Sequence, residues 1–164
     1  MSKARHILAI ALALAIAAPQ LYAMRSVVAH RSLDAISLLD AMNRERVAHG
    51  LNPLRLNEQL TLAATDRMRD MFAKHYFDHT SPDGIDPFSW IDKRGYGYTD
   101  AGENLAVGYA TAADIVDGWM KSPAHRVNVL SKNFDDVGVA IMPTSPTNRR
   151  MGPTVVALYG RRQS

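Results

Sequence analysis

Apolar side chains recur at helical spacing along much of the chain beyond residue 32. The first run predicts a helix over residues 33–49, which Gly50 ends. A second helix is predicted to begin after the N-cap residue Asn57, with an apolar side formed by Leu60, Leu62, Ala63, Ala64, Met68, Met71 and Phe72. This helix leads into a polar segment, residues 75–84, whose Ser-Pro-Asp-Gly ending predicts a tight turn.

Later segments combine helical and extended patterns. Three further helical segments are predicted: residues 88–94, residues 112–121 and a short turn that starts at residue 122. Residues that favour helix starts precede or open them: Pro87, Thr111 and Pro123. Extended segments are predicted over residues 104–109, 137–142 and 154–159, with a hairpin-type loop between the last two. Helices followed by late strands indicate an α+β domain in which helices pack on a small sheet.

The first 23 residues have the pattern of a secretory signal peptide. Lys3 and Arg5 form a positive start, residues 7–18 are apolar without interruption, and a Leu-Tyr-Ala cleavage site ends at Ala23. The apolar run is shorter than the roughly 20 residues that span a bilayer, so cleavage is favoured over an uncleaved anchor. The sequence therefore predicts a signal peptide (1–23), a leader segment (24–32) and one domain (33–164), exported to the periplasm or beyond the cell.

Composition and charge exclude several functional classes. Without Lys3 and Arg5, 17 basic residues stand against 16 acidic ones, and no basic cluster indicates a nucleic-acid partner. The chain has no cysteine, which excludes disulfides and a thiol nucleophile. No apolar run predicts a membrane span in the mature protein, and nothing in the sequence indicates an oligomeric state.

Three polar clusters carry the candidate chemistry, and they contribute His79, Glu103 and His125. Two imidazoles and a carboxylate suit a divalent transition metal such as zinc, with a water molecule in the open position. The neighbouring polar side chains that would orient these ligands are Asp78, Ser81 and Asn104. Structural roles are equally consistent with the spacing: His79 bonding a loop carbonyl, His125 fixing the Ser-Pro turn, and Glu103 capping a backbone amide.

Ordered motifs resemble the bacterial branch of the CAP superfamily, which includes cysteine-rich secretory, antigen-five and plant pathogenesis-related proteins. The main motifs are residues 76–84, 101–106 and 119–130, and residues 43–46, 50–54 and 136–139 extend the match over nearly the whole mature chain. The resemblance implies an α-β-α sandwich with a small antiparallel sheet and a secreted or periplasmic location. It also implies a cleft lined by His79, Glu103 and His125, where several relatives hold a divalent metal.

The chain departs from the animal and plant members at two places. A late strand of those relatives carries a histidine followed by glutamine, whereas residues 154–159 contain neither. Those relatives also have a glutamate just after the tryptophan of the fourth helix, where this chain has Lys121 and Ser122. The cleft of those relatives carries a set of four residues, and the resemblance does not carry over all four of them. In this chain His125 supplies the second imidazole from a different backbone position.

Two functions are consistent with these residues. The favoured one is an exported module whose cleft binds a divalent metal or a small ligand such as a lipid, a peptide or a cell-wall fragment. The alternative is a metal-assisted or general-base hydrolase, in which Glu103 activates a water while His79 and His125 hold the metal or polarise the substrate. No serine or cysteine nucleophile has a local signature, which favours binding. Three tyrosines are predicted either to extend the ligand surface or to pack loops: Tyr96, Tyr98 and Tyr109.

Overall fold

The computed structural model describes residues 33–163. Its elements, in chain order, are α1 (Ala35–Ala48), β1 (Arg55–Leu56), α2 (Glu58–Lys74), α3 (Phe88–Lys93), β2 (Tyr98–Val107), α4 (Ala112–Lys121), α5 (Pro123–Val129), β3 (Asp136–Met142), a 3-10 turn (Arg149–Met151) and β4 (Thr154–Arg162). No helix in this part of the chain is long and apolar enough to cross a membrane. The predicted signal peptide and leader lie outside the described residues.

The four strands form one sheet in the order β1-β3-β4-β2. Strand β4 pairs antiparallel with both β2 and β3, which agrees with the predicted small antiparallel sheet. The two residues of β1 add a parallel pairing, Arg55 with Asp136 and Leu56 with Val137. This short strand was predicted only as a connection, because two exposed residues give no period to detect.

Both faces of the sheet are covered by helices, so the fold is the expected α-β-α sandwich. Alternate residues of β4 point to opposite faces: Val155, Ala157 and Tyr159 pack with side chains of α1, α4 and α5. Val156 and Leu158 pack on the other face with side chains of α2 and α3. Burial on both faces explains why residues 155–159 of β4 are apolar at consecutive positions rather than at alternate ones.

Helix α2 lies directly on strand β3 at Gly138. A β-carbon at this position would come within 2.0 Å of the carbonyl carbon of Leu60 and 2.2 Å of the amide nitrogen of Thr61. Only glycine therefore allows the helix backbone to approach the strand so closely. The contact fixes α2 on the sheet, and with it the polar segment that follows the helix.

The helix boundaries largely follow the predicted capping residues. Asn57 accepts a hydrogen bond from the Leu60 amide at 3.1 Å, and Thr111 accepts one from the Asp114 amide at 3.1 Å. Strand β2 differs more, because it begins at Tyr98 rather than at the predicted residue 104 and ends at Val107. Its first half is polar and contains glycine, so pairing with β4 decides its conformation against a weak local preference.

Candidate functional site

The polar segment leaves α2 at a left-handed residue and turns back on itself. His75 ends the helix with a φ of 56°, and the Tyr76 amide donates to the Met71 carbonyl at 3.1 Å. The Ser81 hydroxyl then accepts from the amides of Asp83, at 3.2 Å, and Ile85, at 3.1 Å. Ser81 therefore stabilises the turn, as its Ser-Pro-Asp-Gly context predicted, and the loop before the turn carries His79.

Strand β2 places Glu103 directly behind His79. Its side chain is only 2% exposed, and Oε1 accepts from the Nδ1 of His79 at 2.8 Å. Its other oxygen, Oε2, accepts from the Nε of Arg67 at 3.3 Å. Both oxygens are thus engaged inside the protein, and the buried carboxylate contacts the imidazole instead of facing solvent.

The missed residue in this arrangement is Arg67, whose side chain is fully buried. Beyond Glu103, its guanidinium donates to the carbonyl of His79 at 2.8 Å, to the carbonyl of Asp78 and to the hydroxyl of Tyr76. One arginine therefore joins helix α2, strand β2 and the loop. The sequence does contain a signal, because position 67 falls four residues after Ala63 and four before Met71, on the apolar side of the helix.

His125 reaches the site from α5. Its Nδ1 lies 2.9 Å from the hydroxyl of Ser122, one turn earlier, and its backbone carbonyl accepts from Asn104 at 3.1 Å. Asn128, also missed, donates to the carbonyl of Glu103 at 3.0 Å and to the side-chain oxygen of Asn104 at 2.9 Å. The helix is therefore tied to β2 next to Glu103.

A glycine makes this approach of α5 to β2 possible. A β-carbon on Gly102 would lie 2.9 Å from the side-chain oxygen of Asn128 and 2.9 Å from the ring of Phe134. The Gly-Glu-Asn run thus combines a small residue, a buried acid and a bridging amide at successive positions of one strand.

Two of the predicted orienting residues contact the histidines or their backbone. Asn104 donates to the carbonyl of His125, and the Asp78 carboxylate accepts from the amide of His79 at 2.6 Å.

The two histidines share one cleft of about 470 Å³. It is lined by Phe77, Asp78, His79, Leu105, Ala106, Val107, Tyr109 and His125. Glu103 lies behind His79 and does not line the cleft among these described residues. Tyr109 is 39% exposed at the cleft, whereas Tyr96 is fully buried and its hydroxyl donates to Asp136 at 3.0 Å, so Tyr96 packs rather than binds.

The predicted metal set does not fit this geometry as a group of three. Within residues 33–163, no three histidine, aspartate or glutamate side chains are arranged to hold one ion. Glu103 is not free to act as a third ligand, because its two oxygens already accept hydrogen bonds from Arg67 and His79. A metal in the cleft would have the imidazoles of His79 and His125 as its candidate protein ligands, with Glu103 orienting the first of them.

The two imidazoles have opposite electrostatic environments. The hydrogen bond to Glu103, assisted by the charge of that carboxylate, raises the pKa of His79 above the usual value, against an opposing effect of burial. Burial, together with the nearby His79, lowers the pKa of His125. The ring of His79 therefore holds a proton more readily than the ring of His125.

Removing the Arg67 charge should strongly destabilise the fold. In Arg67→Met, Glu103 stays buried without its cationic partner, and we expect a loss of about 3–5 kcal/mol in the free energy of unfolding. The matched control is Arg69→Met on the same helix, because Arg69 is 74% exposed and pairs with Asp66 at the surface. It should cost at most about 1 kcal/mol. Urea unfolding of both variants measures the difference, and equal losses would contradict the structural role of Arg67.

The His79–Glu103 bond should make stability depend on pH. Because the pKa of His79 is raised on folding, its stabilising contribution is complete below the unfolded value of about 6.5 and is lost as pH rises through the folded pKa. The destabilisation caused by His79→Gln should accordingly be largest in acid and shrink toward alkaline pH. Urea unfolding of both proteins across this range measures it, and a difference that grows with pH would contradict the raised pKa.

Comparison with known proteins identifies the family. The sequence model of the CAP family, described as the cysteine-rich secretory protein family, matches residues 39–159. The uncharacterized protein YkwD of Bacillus subtilis (strain 168) is 41% identical over 102 residues, which cover 62% of this chain and 40% of YkwD. The uncharacterized membrane protein YlbC of the same strain is 30% identical over 104 residues, covering 63% of this chain and 30% of YlbC. The chain therefore spans less than half the length of these relatives.

Solved structures share the fold. An outer surface protein from Borrelia burgdorferi superimposes with a TM-score of 0.68 and 22% identity, covering 77% of this chain and 90% of that protein. An extracellular protein containing an SCP domain from Bacillus anthracis str. Ames gives a TM-score of 0.65 and 26% identity, covering 76% of this chain and 39% of that protein. With the family match extending over most of the sequence, this chain belongs to the CAP, or cysteine-rich secretory protein, family.

Proposed function

We propose that this CAP domain is an exported binding module, and that the cleft between His79 and His125 holds its ligand. The observation that carries the proposal is the way the first imidazole is supported. A buried ion pair is weak evidence for stability, because desolvating two charges costs about as much as their attraction returns. The Arg67–Glu103 pair instead fixes the position of one polar group on the cleft wall.

The cleft has the composition of a ligand site. Its volume of about 470 Å³ lies within the usual range for small-molecule pockets. Apolar and aromatic side chains such as Phe77, Val107 and Tyr109 provide contact area, while His79 and His125 provide two polar groups. This combination suits a ligand with an apolar body and hydrogen-bonding groups, such as a lipid, a peptide or a cell-wall fragment.

Export is part of the same proposal. The signal-peptide pattern in residues 1–23 supports it, although that segment lies outside the described residues. Two proteins of similar fold are described as an outer surface protein and an extracellular protein, which agrees with a location beyond the cytoplasmic membrane. Because the chain contains no cysteine, the packed sandwich must withstand that environment without disulfides.

A hydrolase is the second candidate, and the opposite pKa shifts of the two histidines favour it. Paired groups with pKa values moved apart are typical of an acid and a base in one reaction. In such a reaction His125 would accept the proton of a water molecule and His79 would donate one to the leaving group. Glu103, which the sequence assigned to water activation, would orient His79. Water is the attacking group in this reaction; a covalent route is not favoured, because no serine or threonine lines the cleft among residues 33–163.

Binding should depend on both cleft histidines. Calorimetric titrations would use three organic probes: a soluble muropeptide, a capped pentapeptide, and vesicles of phosphatidylglycerol and phosphatidylethanolamine. We expect at least one to bind, and His79→Gln and His125→Gln to weaken it about tenfold each, the effect of losing one hydrogen bond to a charged or strongly polar group. The control is His49→Gln, because His49 is exposed at the end of α1 and its ring contacts the nearby Glu45 carbonyl at 2.8 Å, away from the cleft.

Equal affinity in all three variants, or no binding of any probe, would contradict the proposal. Zinc chloride forms a separate arm of the same experiment. If the two imidazoles bind the ion, His79→Gln and His125→Gln should each abolish the heat, and binding should weaken below about pH 6 as protons compete for the ring nitrogens. Turnover of the muropeptide or pentapeptide, lost in both variants, would instead favour the hydrolase.

A further inference from the structure

Strand β2 lies at one edge of the sheet, so among residues 33–163 one of its sides has no neighbouring strand. Its register with β4 shows which residues face that side. The Gly108 amide donates to the carbonyl of Pro153, the residue before β4, at 2.8 Å. By the register of the two strands, the even-numbered residues of this stretch therefore point their N–H and C=O groups toward β4. The odd-numbered residues, including Val107, consequently point theirs to the outer edge.

Side chains of α4 and α5 cover part of this edge. Asn128 donates to the Glu103 carbonyl at 3.0 Å, and the indole nitrogen of Trp119 donates to the Leu105 carbonyl at 3.0 Å. Both contacts fall on odd-numbered residues, which independently confirms the direction of the outer edge. The coverage ends there, because within residues 33–163 no side chain or loop forms a hydrogen bond with the backbone of Val107.

Val107 also lines the cleft that contains His79 and His125. An outward N–H and an outward C=O on one residue form the pattern that an antiparallel partner satisfies with two hydrogen bonds from a single residue of its own. An extended peptide presents this pair at the matching spacing, whereas a lipid chain offers neither group. Tyr109 and the two imidazoles lie beside this position and are available to the side chains of such a peptide.

We propose that the ligand is an extended peptide segment, which pairs with the backbone of Val107 as an added strand and lays its side chains between His79 and His125. This inference rests on the proposed binding function of the same cleft and adds the chemical class of the ligand. The main-chain bonds supply affinity that depends little on sequence, and an acidic side chain near His79 supplies charge complementarity.

The first test begins with the free protein. In the ¹⁵N-labelled full chain, the amide of Val107 should exchange with solvent much faster than that of Ala106, which faces β4 and is buried. Addition of millimolar acetyl-Thr-Val-Glu-Val-Thr-amide should then slow the exchange of the Val107 amide. Equal protection of the two amides in the free protein, or no slowing by the peptide, would overturn the inference.

The second test removes the main-chain hydrogen bonds first by a change in the protein and then by a change in the peptide. Val107→Pro lacks the outward N–H without touching the ladder to β4, and Val107→Thr keeps it as the control. We expect the proline variant to bind the peptide about tenfold more weakly than the threonine variant. Should the proline variant unfold, the fully N-methylated peptide tests the same bonds on the native chain, and its binding as tightly as the parent peptide would overturn the inference.

The two proposals can fail separately. Binding of a muropeptide or of vesicles that depends on His79 and His125, with the exchange of Val107 unaffected by the peptide, would remove the added strand and leave the binding function. Absence of binding by every probe would remove both.

Discussion

The buried ion pair between Arg67 and Glu103 is the interaction on which the candidate site depends. Neither charge can remain in the interior alone, so helix α2 and strand β2 must meet at this point. The remaining donors of Arg67 hold the carbonyls of Asp78 and His79, and the second oxygen of Glu103 holds the ring of His79. The loop that carries His79 is thereby fixed by one group from the helix layer and one from the sheet.

The opposite wall of the cleft depends on amides instead of charges. Asn104 and Asn128 tie α5 to β2, and Gly102 leaves them the space to do so. The contacts of α4 and α5 also cover the edge of β2 up to Leu105, where an uncovered strand would invite pairing with other chains. The edge of β2 is thus protected at Glu103 and Leu105 and, within the described part of the chain, left open at Val107, where it meets the cleft. This open position is where we propose that a peptide pairs with the strand.

Sequence patterns predicted the helices and the late strands well, because apolar periodicity and capping residues act locally, and the family resemblance implied the sandwich. They could not show that His79 and Glu103 touch, since 24 positions separate these residues and only the packing of α2 on the sheet brings them together. Arg67 was missed although it lies on the apolar side of its helix, because its partners Glu103 and the His79 loop are distant in sequence and only the fold brings them together. Glu103 was expected to bind a metal or activate water, whereas its side chain is buried and bonded to Arg67 and His79. The residue type alone could not show these contacts.

The most direct test of this account is the tautomer of the neutral His79 ring, read from long-range ¹H–¹⁵N correlations at alkaline pH. A carboxylate can only accept hydrogen bonds, so the contact with Glu103 requires a proton on Nδ1. That arrangement leaves Nε2 as the ring nitrogen available to a ligand. The account predicts the Nδ1–H tautomer in the native protein. A proton mainly on Nε2 would mean that Glu103 does not hold the ring, and would contradict the account at its centre.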